Sequence, residues 1–138
     1  MERLGWMQRY NLYREGFVLV QLGHKEEGME LIERQLAFLD KQRTLQRASP
    51  HDYHYAAIYA FQGDYESALK HLRNYNKKEL GMEIDVPFIP ISYTQYDILF
   101  ENLWDNEEFK VFIKEIDEEK AAIRAQVQEM MDKGDIGL

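Results

Sequence analysis

Gly63-Asp64-Tyr65-Glu66-Ser67-Ala68 lies between two apolar-periodic runs, and its reading decides the fold. Glycine stops a helix because it takes the left-handed residue after the C-cap without strain, and an aspartate right after it offers an oxygen to the free N–H groups of the next helix. A helix-turn-helix corner is therefore predicted at 63–64. Working outward, two further breaks of this kind are Gly23-His24-Lys25-Glu26-Glu27-Gly28 and Trp104-Asp105-Asn106-Glu107-Glu108-Phe109. Their last residues, Gly28, Ala68 and Phe109, are spaced 40 and 41 residues apart. Self-similarity at such a period marks stacked helical hairpins, because one hairpin cannot bury its apolar face alone.

The runs between the breaks read as six helices. The first covers 2–22, with Leu12, Tyr13, Phe17 and Val20 on more than one face, as a sandwiched helix requires. The second, 25–47, carries Met29, Ile32, Leu36 and Leu39 on one stripe and Glu26, Glu27 and Glu30 near its positive end. Ser49-Pro50 supplies an N-cap and a first-turn proline for a third helix to Phe61. Asp64 caps a fourth, built on Tyr65, Ala68, Leu69, Leu72 and Tyr75 and closed by Gly81. Two prolines, Pro87 and Pro90, make 81–92 the longest irregular segment, apolar enough to pack. Ser92-x-x-Gln95 and Asp105-x-x-Glu108 fit the capping-box pattern and open a fifth helix and a long sixth, which ends near Lys133. The first half of the sixth carries Phe109, Phe112, Ile113 and Ile116. Its second half thins to Ile123, Val127, Met130 and Met131 amid charges and reads as a cap over the last hairpin. The fold class is thus all-α: three stacked hairpins in one domain over 1–138, about 2–47, 49–80 and 92–119, with a terminal extension over 120–134.

Composition narrows the function. At 138 residues and 45% hydrophobic content the chain buries a core without staples. It has no cysteine, and its N-terminus lacks a secretory pattern. No stretch reaches the roughly 18 apolar residues of a membrane span. These features imply a soluble, cytoplasmic protein. The net charge of −8 is uneven: residues 1–50 hold 8 Lys/Arg against 7 Asp/Glu, and 51–138 hold 9 against 18. Nucleic acid is not expected as a partner, since phosphate binding needs clustered cations. Lys41, Arg43 and Arg47 form the one basic group, at the end of a predicted helix where cations complement the dipole.

At these residues the chain resembles the tetratricopeptide repeat family, in which helix-turn-helix hairpins stack into a curved solenoid. Tyr55, Ala56 and Tyr59 stand at that family's large, small and aromatic positions, and Gly63-Asp64-Tyr65-x-x-Ala68 matches its turn and following small residue. Gly16 and Gly28 keep the small positions in the first unit, whereas Asp97 and Phe109 replace them in the third. The period exceeds the family's ~34 residues, so longer second helices or the proline-bearing loop take up the difference. Residues 97–131 are also similar to the closing segment of repeat arrays in bacterial signalling and transcription proteins. That resemblance implies a regulatory role and a chain that is the tail of a longer protein.

In the family the first helix of each hairpin lines a concave face. The matching positions are Tyr13, Phe17 and Val20, then Tyr53, Ala57, Ala60 and Phe61, then Thr94, Ile98 and Asn102. The resemblance implies a tyrosine-rich groove suited to an extended peptide or an amphipathic helix. A terminal acidic peptide is not the expected ligand, because Tyr13 and Phe17 stand where the carboxylate-gripping variant has Lys and Asn. The other occupant of such a groove is the protein's own loop around Phe88-Ile89, or its last helix. His51-Asp52-x-His54 and His71 lack a second ligand cluster and read as surface or stacking histidines, not a metal site. No phosphate loop, nucleophile elbow or His-Glu-x-x-His run occurs, so no catalytic residue and no cofactor is expected. The sequence supports a non-enzymatic interaction module with an unidentified protein or peptide partner. The alternative is a structural module that forms a homodimer through its terminal helix.

Overall fold

The computed structural model describes residues 11–44, 51–80 and 91–134. Among them all regular structure is helical, and no helix is long and apolar enough to cross a membrane. Five α-helices follow in order among the described residues: α1 (Leu12–Gln21), α2 (Lys25–Thr44), α3 (His51–Gln62), α4 (Tyr65–Leu80) and the long C-terminal α5 (Glu107–Asp132). Two 3₁₀ helices, Ile91–Gln95 and Ile98–Leu103, lie between α4 and α5. The Ser49-Pro50 start, Arg47 and the prolines at 87 and 90 lie outside the described residues. So does the part of the first predicted helix before residue 11. The chain divides into two compact units, Met1–Leu103 and Trp104–Leu138.

The corners at 23 and 63 are the same motif. Gly23 has φ +92° and Gly63 φ +83°, a region closed to most side chains. At the first, His24 N–H donates to Leu19 O and Gly23 N–H to Val20 O; at the second, Asp64 N–H donates to Tyr59 O and Gly63 N–H to Ala60 O. This double bond pattern satisfies carbonyls that a helix end leaves free. The next helix starts at once: Asp64 Oδ1 accepts from Ser67 N–H at 3.1 Å. The third corner has no glycine and is built differently. Asn106 caps α5, its Oδ1 accepting from Phe109 N–H at 3.1 Å, so the predicted cap at Asp105 is displaced by one residue. The carbonyls of His24, Asp64 and Asn106 accept from Gly28, Ala68 and Lys110. In this register the third counterpart of Gly28 and Ala68 is exposed Lys110, not Phe109.

Two helix pairs fill the first unit. α1 pairs with α2, α3 with α4, and α2 packs on α3. In α2 the buried residues are Gly28, Ile32, Gln35 and Leu39, one stripe at spacings of 4, 3 and 4. Close approach of α1 and α2 depends on glycine: a Cβ on Gly16 would stand 2.6 Å from Gly28 O, and one on Gly28 2.5 Å from Gly16 O. α3 is the central helix, with His51, Tyr53 to Ile58 and Ala60 all buried. α4 buries Ala68, Leu69, Leu72 and Tyr75. The second 3₁₀ helix lies on α3, where Leu99, Phe100 and Leu103 are buried. An α-helix predicted from Ser92 is thus replaced by two 3₁₀ pieces.

The second unit is α5. Phe109, Phe112 and Ile116 are buried. Residues 121–134 are exposed throughout.

Candidate functional site

The positions expected to line a groove occupy α1, α3 and the two 3₁₀ helices, and three contacts set α1, α3 and the second 3₁₀ helix beside one another. Tyr13 Oη lies 3.0 Å from His54 Nδ1, linking α1 to α3. The Phe17 and Phe61 rings meet edge to face at 5.2 Å. Asn102 Nδ2 donates to Ala60 O at 3.4 Å, linking the 3₁₀ helix to α3. The first helices of the two hairpins and the third segment therefore share one side of the first unit.

The tyrosines expected at the surface of that side lie beneath it. Tyr13, Tyr53 and Ala57 are at most 2% exposed and offer no contact area to a partner. Val20 leans on α2, since a Cβ on Gly28 would meet its Cγ2 at 2.6 Å. Phe17 and Phe61 are half-buried, and Ile98 and Asn102 are exposed. The ten expected positions thus divide into a floor (Tyr13, Tyr53, Ala57, Ala60, Thr94), an interhelical residue (Val20) and an accessible set (Phe17, Phe61, Ile98, Asn102). Tyr93 and Tyr96 add exposed aromatic area on the segment before Ile98.

Below this surface is a polar hub that spacing does not reveal. Arg14 Nη1 and Nη2 donate to the two carboxylate oxygens of Asp97 at 3.2 and 2.7 Å, a forked pair across 83 residues of chain. Tyr53 Oη donates to Asp97 Oδ2 at 2.8 Å, and Leu99 N–H to Oδ1 at 3.2 Å. Burial by itself would raise the Asp97 pKa. The Arg14 and Tyr53 hydrogen bonds outweigh it and hold the carboxyl below its ordinary range. Burial pushes Tyr13 up to about 12 and Tyr53 higher still, with the Asp97 charge adding to both, so both phenols stay neutral. His54 is lowered to about 4, first by burial and then by His51 and Arg14, and is a neutral imidazole near pH 7. Arg14 also lies over the Tyr13 ring, 5.3 Å from its centroid.

A second cluster joins α2, α3 and α4. His71 stacks on Tyr55 and Tyr59 at 4.8 and 5.6 Å, and its Nδ1 lies 2.8 Å from Asp52 Oδ1. Tyr55 Oη donates to Asp40, and burial followed by that hydrogen bond raises its pKa. His71 is thus held by stacked rings and one carboxylate. Among the described residues no group of three or more His, Asp or Glu side chains is arranged to hold a metal ion.

No family model, curated protein or solved structure matches this chain. The site is read from its own geometry. Asp97 and Arg14 are the residues that pattern reasoning passed over. Their signals were a carboxylate at a small-residue position amid apolar neighbours, and the one cation between residues 10 and 22.

Proposed function

We propose that the chain is a tetratricopeptide-like interaction module that binds a protein segment on the side shared by α1, α3 and residues 98–103. The observation that carries this reading is the half-buried Phe17–Phe61 pair, which sits where two first helices meet, with accessible Asn102 bonded to Ala60 O, the residue before Phe61. Phenylalanine rings supply desolvation energy and Asn102 a hydrogen-bonding edge, the combination expected of a peptide or amphipathic-helix site. The Arg14–Asp97–Tyr53 hub fixes the floor, so the surface is pre-organised and a ligand loses little affinity to ordering it. The corner shared by 23 and 63 supports a repeat origin. Partner binding is the whole mechanism in this reading, without catalysis or cofactor, and its setting is a cytoplasmic bacterial signalling or transcription regulator.

The test is selection of peptides from a random display library on the intact chain. Phe17→Ser with Phe61→Ser is expected to weaken selected peptides by at least roughly 10-fold, as loss of interface anchors does. Helicity should be unchanged. Peptide binding that ignores this pair while responding to changes elsewhere would refute the assignment of the surface.

A further inference from the structure

The side shared by α1, α3 and residues 91–103 is poor in positive charge, and this sets the chemistry of what it binds. Its three segments hold a single Lys or Arg between them, Arg14. Arg14 is already committed, with both terminal nitrogens on the Asp97 carboxylate. His54 lies beneath the same side and is neutral near pH 7, because burial, His51 and Arg14 lower it to about 4. A ligand carboxylate therefore finds no uncommitted cation on these described segments.

Negative charge is accessible there. Glu101 precedes Asn102, which is bonded to Ala60 O, and it is exposed without an ion pair among the described residues. Within the second 3₁₀ helix it stands three residues after exposed Ile98, the spacing at which side chains eclipse, so the two share a face. Further along, Tyr13 meets His54 and Phe17 meets Phe61, so contact numbers rise together and α1 runs in the same direction as α3. The corners at 23 and 63 thus share one end, and the phenylalanine pair lies near it. Asp64 and Glu66 are exposed at one corner, Glu26 and Glu27 at the other, where Lys25 is the exposed lysine. Five accessible carboxylates therefore stand on the segments around the apolar pair against that lysine.

We infer that the partner of this side is a basic amphipathic segment of another protein, with an apolar side chain seated on Phe17 and Phe61 and a Lys or Arg beside it facing Glu101. The inference rests on the reading of that side as a binding surface and adds the chemistry of its ligand. Complementary charge speeds encounter and turns away segments of like charge, an effect that salt screens.

A random display library encoding Lys and Glu equally, selected on the intact chain, is the probe. Peptides weakened by Phe17→Ser with Phe61→Ser are expected to carry more Lys and Arg than Asp and Glu. Their affinity should fall roughly 5-fold or more between about 50 and about 300 mM salt. Glu101→Lys, a change at an exposed position, should weaken them roughly 5-fold, whereas Glu33→Lys on the exposed face of α2 should do so by less than about 2-fold. Selection repeated on the Glu101→Lys chain should shift the pool toward Asp and Glu. A pool that needs the two phenylalanines but is neutral or acidic overturns the inference and leaves the surface intact. So does a basic pool equally sensitive to Glu33→Lys and Glu101→Lys, since it answers only to the net charge of −8. A pool indifferent to the phenylalanines, or no pool at all, refutes the surface and the inference with it.

Discussion

Replacing Gly28 with alanine should destabilise the chain, although the same change on an exposed helical face would stabilise it. In isolation, Gly→Ala within a helix gains about 1 kcal/mol, because alanine loses less backbone freedom on folding. Here the new Cβ would lie 2.5 Å from Gly16 O, 2.6 Å from Val20 Cγ2 and 3.0 Å from Val20 N. Favourable contacts of carbon with its neighbours need separations nearer about 3.5 Å, so α1 and α2 must part by several tenths of an ångström or more. Two of the three obstacles are backbone atoms, which no rotamer change relieves. Overpacking of this sort costs about 1–3 kcal/mol, and after the propensity gain we expect a net loss of about 1–2 kcal/mol. The urea midpoint should fall with an unchanged slope, and the melting temperature should drop by roughly 3–6 °C. Gly16→Ala opens the same gap from the other side, so the double variant should lose less than the two single losses together. A Gly28→Ala protein more stable than the parent would refute close packing of this hairpin.

Asp97→Asn removes the charge that Arg14 and Tyr53 share. Because the Arg14 side chain is 36% exposed and can turn to water, the expected loss is about 2 kcal/mol, below that for a fully buried pair; thermal unfolding that shifts by less than 1 °C would contradict the hub. His54 is held at about 4 in the folded chain against 6.5 unfolded, so the unfolded state takes up a proton first as pH falls. Stability should therefore decline between pH 6.5 and about 4, by about 3 kcal/mol, and His54→Gln should flatten that decline in urea titrations. Asp97, lowered below its ordinary 3.8, adds its loss only at still lower pH. Asn106→Ala should cost about 1 kcal/mol and speed hydrogen exchange at the Phe109 amide, whereas Asp105→Ala should leave that amide unchanged; the reverse order would return the cap to Asp105.

Much of the first unit is legible from local chemistry. Glycines at 23 and 63 mark corners because few other residues tolerate a φ near +90° there. Asp64 reads as a cap, and Ile32 and Leu39 as a buried stripe, for equally local reasons. The failures are where a side chain competes with the backbone or reaches far along the chain. Asp97 takes the Leu99 N–H, an interruption that favours two 3₁₀ pieces over one α-helix, while Ser92-x-x-Gln95 reads as an ordinary helix start. Asp97 also answers to Arg14 and Tyr53, 83 and 44 residues away, pairings that no periodicity encodes. The tyrosines mislead for a related reason. Their spacing places Tyr13 and Tyr53 correctly on first helices, but their depth depends on whether each hydroxyl finds an internal partner, and His54 and Asp97 supply them. Exposure of 121–134 is likewise not encoded in its sparse apolar pattern.

Side-by-side placement of α1 and α3, on which the recognition surface rests, can be read without a partner from proton–proton NOEs in the intact chain labelled at phenylalanine. Rings 5.2 Å apart should give strong contacts between Phe17 and Phe61. Complete absence of those contacts in a folded, helical sample would separate the two helices and remove the surface.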